Sequence, residues 1–123
     1  MSGNNLLLDT NVILYFLNGD RTLIPILNNK NLFVSFITQL ELLSYKGITK
    51  TDIKKITEFL KECTIIDINS SIKENTVTIK RKYSLKLPDS IIIATGMYLN
   101  SPLVSADNQF KQVEESNLIF YQK

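Results

Sequence analysis

Four acids stand at positions where a carboxylate serves either as a helix-starting device or as a ligand: Asp9, Glu41, Asp89 and Asp107. Asp9 directly follows the apolar run Leu6-Leu7-Leu8, and Asp107 comes just after Leu103-Val104-Ser105. Glu41 is set inside Leu40-Glu41-Leu42-Leu43, four residues after Ile37 and so on the same helical face. Asp89 lies immediately ahead of Ile91-Ile92-Ile93-Ala94. Each has a local use. Asp9 and Asp107 suit helix N-caps, Asp89 suits the positive end of a helix dipole, and Glu41 can reach water or a lysine such as Lys46. All four also fall at strand ends or helix starts compatible with a single crevice. Were they to meet there, two like charges about 4 Å apart would repel by about 4 kcal/mol at an effective dielectric near 20. A cation would be the natural remedy.

The complete absence of histidine sharpens this choice. It removes the commonest general base and the commonest transition-metal ligand, and with them Ser-His-Asp, Cys-His and His-based zinc chemistry. A cluster of hard oxygen donors selects Mg²⁺ or Mn²⁺. The single Cys63, within Cys63-Thr64-Ile65-Ile66, cannot form a disulfide within the chain and reads as an inert buried thiol in a reducing compartment.

These acids need elements to hold them. Asn5 to Asp9 reads as a buried strand, followed by a helix carrying Ile13, Phe16 and Leu17 up to Gly19. Thr22 is the expected cap of a short helix with Pro25 in its first turn, and Leu32 to Val34 is the next strand. Ser35 caps a helix bearing Ile37, Leu40 and Glu41, and a further helix from Thr51 places Ile53, Ile56, Phe59 and Leu60 on one face. Thr64 to Ile68 is a strand, with Ser70 or Ser71 capping a helix striped by Ile72, Thr76, Ile79 and Tyr83. Leu87-Pro88-Asp89 opens another helix. Leu103 to Ser105 is a strand, Asp107 caps a short helix through Val113, and Leu118 to Tyr121 is the last strand. Five apolar strands interleaved with helices imply an α/β fold with a mostly parallel sheet covered on both faces. In such sheets the crevice lies beyond the carboxyl ends of the strands, at a topological switch. Asp9 and Asp107 should emerge together there.

At 123 residues, with 44% hydrophobic and 21% charged residues and no Pro/Gly/Ser-rich linker, residues 1–123 are expected to form one domain. The start lacks a basic n-region and Asp9 interrupts its apolar stretch, so neither a signal peptide nor a membrane span is expected, and a cytoplasmic location follows. A net charge of +2 identifies no partner.

Four segments in order resemble the PIN-domain family. Leu7-Leu8-Asp9-Thr10-Asn11-Val12-Ile13-Leu14 is similar to its opening motif and Ser35-Phe36-Ile37-Thr38-Gln39-Leu40-Glu41-Leu42 to its second. Leu87-Pro88-Asp89-Ser90-Ile91-Ile92-Ile93-Ala94-Thr95 is similar to the third, and Leu103-Val104-Ser105-Ala106-Asp107-Asn108-Gln109-Phe110 to the fourth. The likeness spans nearly the whole chain and is strongest to VapC-type toxins of bacterial toxin–antitoxin pairs. It implies a three-layer α/β/α fold with the first and fourth strands adjacent, and endoribonuclease activity on structured RNA such as tRNA or rRNA. It also implies a homodimer and an antitoxin protein laid over the crevice. Many relatives have threonine where this chain has Ser105, which keeps a hydroxyl. Many carry an acid where this chain has Gln109, so one firmly held cation is expected, with any second ion recruited by RNA.

The chemistry this implies is metal-assisted phosphodiester hydrolysis, with a cation held by Asp9, Asp89 and Asp107 and the cluster completed by Glu41. Thr10 and Ser105 would orient the carboxylates. Lys80, Arg81, Lys82 and Lys86 are candidates for phosphate contacts, against the plainer use of cations at a helix C-terminus. Tyr45, Tyr83 and Tyr98 could stack on bases or simply pack. Two other readings compete: a PIN-like RNA- or protein-binding module with metal affinity but little turnover, and a small phosphotransfer domain. The latter leaves Glu41 and Asp89 without a role.

Overall fold

The run Leu6-Leu7-Leu8 explains the centre of the molecule. In the computed structural model, which describes residues 4–122, it forms most of β1 (Asn5–Leu8), and all three leucines are buried. Successive strand residues face opposite ways, so a strand buried on both faces needs apolar residues throughout. Leu6 and Leu8 join Val34 and Val104 in one core, whereas Leu7 joins Leu103 in the other.

Five strands form one sheet in the order β3-β2-β1-β4-β5, where β2 is Asn31–Ser35, β3 Thr64–Ile66, β4 Leu103–Ser105 and β5 Leu118–Phe120. All four pairings are parallel, with Leu7 beside Phe33 on one flank and beside Leu103 on the other. The chain leaves β1 toward β2 but places β4 on its opposite side, so a topological switch falls at β1.

Helices cover both faces. The first core takes Val12 and Ile13 from α1 (Thr10–Leu17), Leu27 from α2 (Ile24–Leu27), Leu42 from α3 (Phe36–Ser44), and Ile56 and Leu60 from α4 (Lys50–Lys61). The second takes Ile79 from α5 (Ser70–Lys82), Ile92 and Ile93 from α6 (Leu87–Leu99), and Phe110. In α6, residues Ser90 to Thr95 are all buried, since the helix packs against both the sheet and α5. The result is the expected three-layer α/β/α arrangement, with six α-helices among the described residues.

The local departures concern caps and ends. Asp20, not Thr22, caps the 3₁₀ turn Arg21–Leu23 that precedes α2, its carboxylate taking both the backbone N–H and the hydroxyl of Thr22. Asp20 stands one residue before the turn, so its carboxylate reaches the Thr22 N–H, which has no partner within the turn. Thr49 and Asp52 form a capping box that starts α4 at Lys50, one residue before the expected Thr51. Asn69, rather than Ser70 or Ser71, caps α5 by accepting from Ile72. The segment after Asp107 is a 3₁₀ turn, Asn108–Gln112. β1, β3 and β5 each end before their expected limits of Asp9, Ile68 and Tyr121.

Candidate functional site

Asp9 stands one residue past β1, yet its backbone still extends the sheet by donating from N–H to the carbonyl of Val104 at 3.0 Å. That bond holds it beside Ser105. The two carboxylate oxygens divide their partners: Oδ1 accepts from the Thr10 amide at 2.8 Å, and Oδ2 from the Ser105 hydroxyl at 2.7 Å. Ser105 Oγ also accepts from the Asp107 amide at 3.0 Å, so one fully buried hydroxyl ties β1 to the loop after β4. The helix-capping reading of Asp9 and its placement at the crevice therefore both hold.

Glu41 enters from α3, whose start is set by Ser35 accepting from the Ile37 amide. Its Oε1 accepts from the Thr10 hydroxyl at 2.8 Å, and that hydroxyl lies 3.1 Å from the buried Thr38 hydroxyl. Glu41 is half-buried and finds its partner in a hydroxyl; the one ion pair among the described residues joins Lys82 to Glu115. Asp89 arrives in the first turn of α6, and Asp107 caps the 3₁₀ turn through the Gln109 amide at 2.9 Å.

All four acids line one cavity of about 240 Å³ at the carboxyl ends of β1, β2 and β4, together with Thr10, Asn11, Leu14 and Tyr45. Among the described residues no Lys or Arg lines it. The acids ring the space rather than touch, and among the described residues no three of them form a ready-made ligand cluster. Mutual repulsion favours that spacing. Burial pushes the Asp9 carboxyl up to about 6, against its hydrogen bonds to Ser105 and Thr10 and helped by the charges of Asp89 and Asp107. Asp89 is also pushed up, by burial and then by the charges of Asp107 and Glu41, with Lys86 opposing. The donor set is all oxygen and lacks any cationic side chain, which is the composition a hard divalent cation requires.

The family model described as PIN domain matches residues 6–116. The chain belongs to the PIN-domain family. No curated protein matches the sequence. Among solved structures, this PIN domain is similar to VapBC2 from Rickettsia felis bound to a promoter DNA fragment, with a TM-score of 0.82 and 20% identity over 96% of this chain and 99% of that one. It is similar to a toxin–antitoxin complex from Klebsiella pneumoniae at a TM-score of 0.79 and 25% identity, covering 96% and 99% of the two chains. VapBC-1 from nontypeable Haemophilus influenzae aligns at a TM-score of 0.78 and 20% identity over 94% and 97%.

None of the four expected phosphate-contact residues, Lys80, Arg81, Lys82 and Lys86, lines the PIN-domain cavity. Lys86 is the N-cap residue of α6, three positions before Asp89, and its charge acts on that carboxylate. Lys80 and Arg81 are exposed on the last turn of α5, whereas the Lys82 ammonium is engaged by Glu115 at 2.9 Å. Glu115 also accepts from the Tyr83 hydroxyl at 2.7 Å, so Tyr83 is a packing residue rather than a free ring. Gln109 is exposed and meets Asp107 through its backbone. Asn11 and Thr38 escaped the residue-by-residue reading. The signal for Thr38 was its spacing: three residues before Glu41, it shares that acid's helical face.

Proposed function

We propose that this PIN domain is the toxin of a VapBC-type toxin–antitoxin pair and acts as a metal-dependent endoribonuclease on RNA, with tRNA or rRNA the expected class. The observation that carries the reading is the ring of four carboxylates around one cavity that no cationic side chain among the described residues lines. Holding such charges together is unfavourable unless a cation joins them, so a scaffold without metal chemistry would gain nothing from it. The likeness to a complex named as toxin–antitoxin supports a protein partner, and a homodimer is expected from the family resemblance. Among the described residues no helix is long and apolar enough to cross a membrane.

In this reading Asp9, Asp89 and Asp107 hold Mg²⁺ or Mn²⁺, with Glu41 completing the set. The cation would supply Lewis-acid polarisation of a phosphate oxygen and a more acidic water. The chain's own residues do the positioning. Ser105 and the Thr10 amide pin Asp9 from both sides, leaving its carboxylate one orientation toward the cavity. Thr10 turns Glu41 inward. A metal is needed before a phosphodiester can approach, because four anionic side chains would otherwise repel it.

Cleavage of total tRNA and rRNA by the purified protein tests this, with Mg²⁺ or Mn²⁺, with EDTA, and with Asp9→Asn. The reading predicts cleavage only by the native protein with metal. Cleavage that survives EDTA or Asp9→Asn would refute it.

A further inference from the structure

Thr38 is fully buried beside the acidic cavity without lining it. A buried hydroxyl is unfavourable unless it is paired, and valine would fill nearly the same space without that demand. The other buried threonines among the described residues meet it locally. Thr76 donates to the Ile72 carbonyl and Thr95 to the Ile91 carbonyl, each at 2.7 Å and one helical turn back. Thr38 has no such outlet, because it is the third residue of α3 and Val34, one turn back, still belongs to β2. Its hydroxyl partner is Thr10 of α1, at 3.1 Å, and the Thr10 hydroxyl is also 2.8 Å from Glu41 Oε1. Thr38 and Glu41 stand three residues apart on α3, so one helix face grips a single hydroxyl of its neighbour at two points.

The Thr10 hydroxyl carries one proton, and an ionised carboxylate can only accept. With Glu41 ionised, as a carboxylate ligand of a cation must be, that proton goes to Oε1, and a lone pair of Thr10 takes the proton of Thr38. The chain of donors then runs one way, from Thr38 to Thr10 to Glu41. We propose that Thr38 is a positioning residue for the cation site, holding the Thr10 hydroxyl in the orientation that fixes the Glu41 carboxylate. The proposal rests on the metal-dependent reading above, in which Glu41 completes the ligand set, and adds to it a residue that touches neither cation nor RNA. Hydrogen bonds in a chain polarise one another, so Thr10 donates more strongly while it accepts. Without Thr38 the Thr10 hydroxyl is held at Glu41 alone and is free to turn to water in the cavity that Thr10 lines.

Titration with Mn²⁺ alone, followed by loss of the free-ion electron paramagnetic resonance signal, reads the site without RNA or turnover. Thr38→Val should weaken Mn²⁺ binding about tenfold, the lower end of the effect of losing an outer partner of a metal ligand. Thr38→Ser keeps the hydroxyl and should bind as the native protein does. Because Thr38 acts through Thr10, the double variant Thr10→Val/Thr38→Val should bind no more weakly than Thr10→Val alone. Thr76→Val is the control for a buried hydroxyl with a structural use only: it should lower the Tm and leave Mn²⁺ affinity unchanged. Circular dichroism checks each fold, and Thr38→Ala removes the same hydroxyl should valine prevent folding. Native affinity in Thr38→Val, a Thr38→Ser defect as large as that of Thr38→Val, or additive losses in the double variant would overturn the proposal. A native protein that binds no Mn²⁺ would overturn the metal-dependent reading and the proposal with it, whereas native binding that Thr38→Val leaves intact overturns the proposal alone.

Discussion

Asp9→Asn in the metal-free protein offers the sharpest check on the electrostatics, because it should stabilise a fold by damaging its site. Asp9 is 5% exposed, and its carboxyl is raised from 3.8 to about 6. A rise of about two units, at about 1.36 kcal/mol each, corresponds to about 3 kcal/mol. The sign follows from which state binds the proton more tightly. The folded protein does, so ionising Asp9 costs nothing below the unfolded value. The penalty grows between 3.8 and about 6 and is complete above that. Asparagine carries no charge and its one oxygen can still cap α1, but its amide nitrogen then faces Ser105 and donates to that hydroxyl instead of accepting from it, an exchange that costs about 1 kcal/mol. In EDTA near neutral pH the variant should therefore gain about 2 kcal/mol, or roughly 6–10 °C in Tm for a domain of this size. Thermal unfolding in EDTA at acid and at neutral pH measures it: the gain should be large at neutral pH and shrink or reverse in acid. Added Mg²⁺ or Mn²⁺ should raise the Tm of the native protein more than that of the variant. A variant no more stable than the native protein at neutral pH, or a gain independent of pH, would show that Asp9 carries no burial penalty.

Asp107→Asn should also stabilise the metal-free protein, since its charge raises both Asp9 and Asp89 while asparagine can still cap the 3₁₀ turn; a small Tm rise in EDTA is the readout. Ser105→Ala removes a donor to Asp9 and an acceptor from Asp107, and should cost about 1.5–3 kcal/mol in a urea melt, with Ser105→Thr restoring most of it. Thr10→Val frees Glu41 and should lower RNA cleavage by roughly tenfold or more, on the scale of lost ligand-orienting contacts, while the fold persists by circular dichroism. Tyr121→Phe removes the hydroxyl that binds Asp20 and Thr22, and should cost about 1–2 kcal/mol in stability with cleavage unchanged.

Element types were legible because burial writes itself into residue patterns. Three consecutive leucines announce a strand covered on both faces, and the Ile56 and Leu60 stripe announces a helix covered on one. Caps were less legible, because several residues near a helix start can reach the same N–H. Asp20 took the role that Thr22 could have filled, and Asn69 that of Ser70. The inertness of Cys63 was legible too: the thiol is half-buried rather than buried, and burial pushes it up to about 11, so it stays protonated near neutral pH.

The candidate site shows the same division at larger scale. Residue types and chain position alone excluded histidine chemistry and put acids at strand ends and helix starts, since those properties belong to single residues and their neighbours in sequence. The strand order that sets β4 against β1 is a non-local choice, and only the folded sheet brings the Asp9 carboxylate within 2.7 Å of the Ser105 hydroxyl. The Thr10–Glu41 bond joins residues 31 positions apart, and no local pattern encodes it. Nor does any periodicity place Tyr45 in the wall of the acidic cavity, a position that depends on how α3 meets α1. The sequence by itself determined what chemistry was available; packing over long sequence separations decided which groups share a cavity, how deeply Asp9 is buried, and therefore how far its proton affinity is raised.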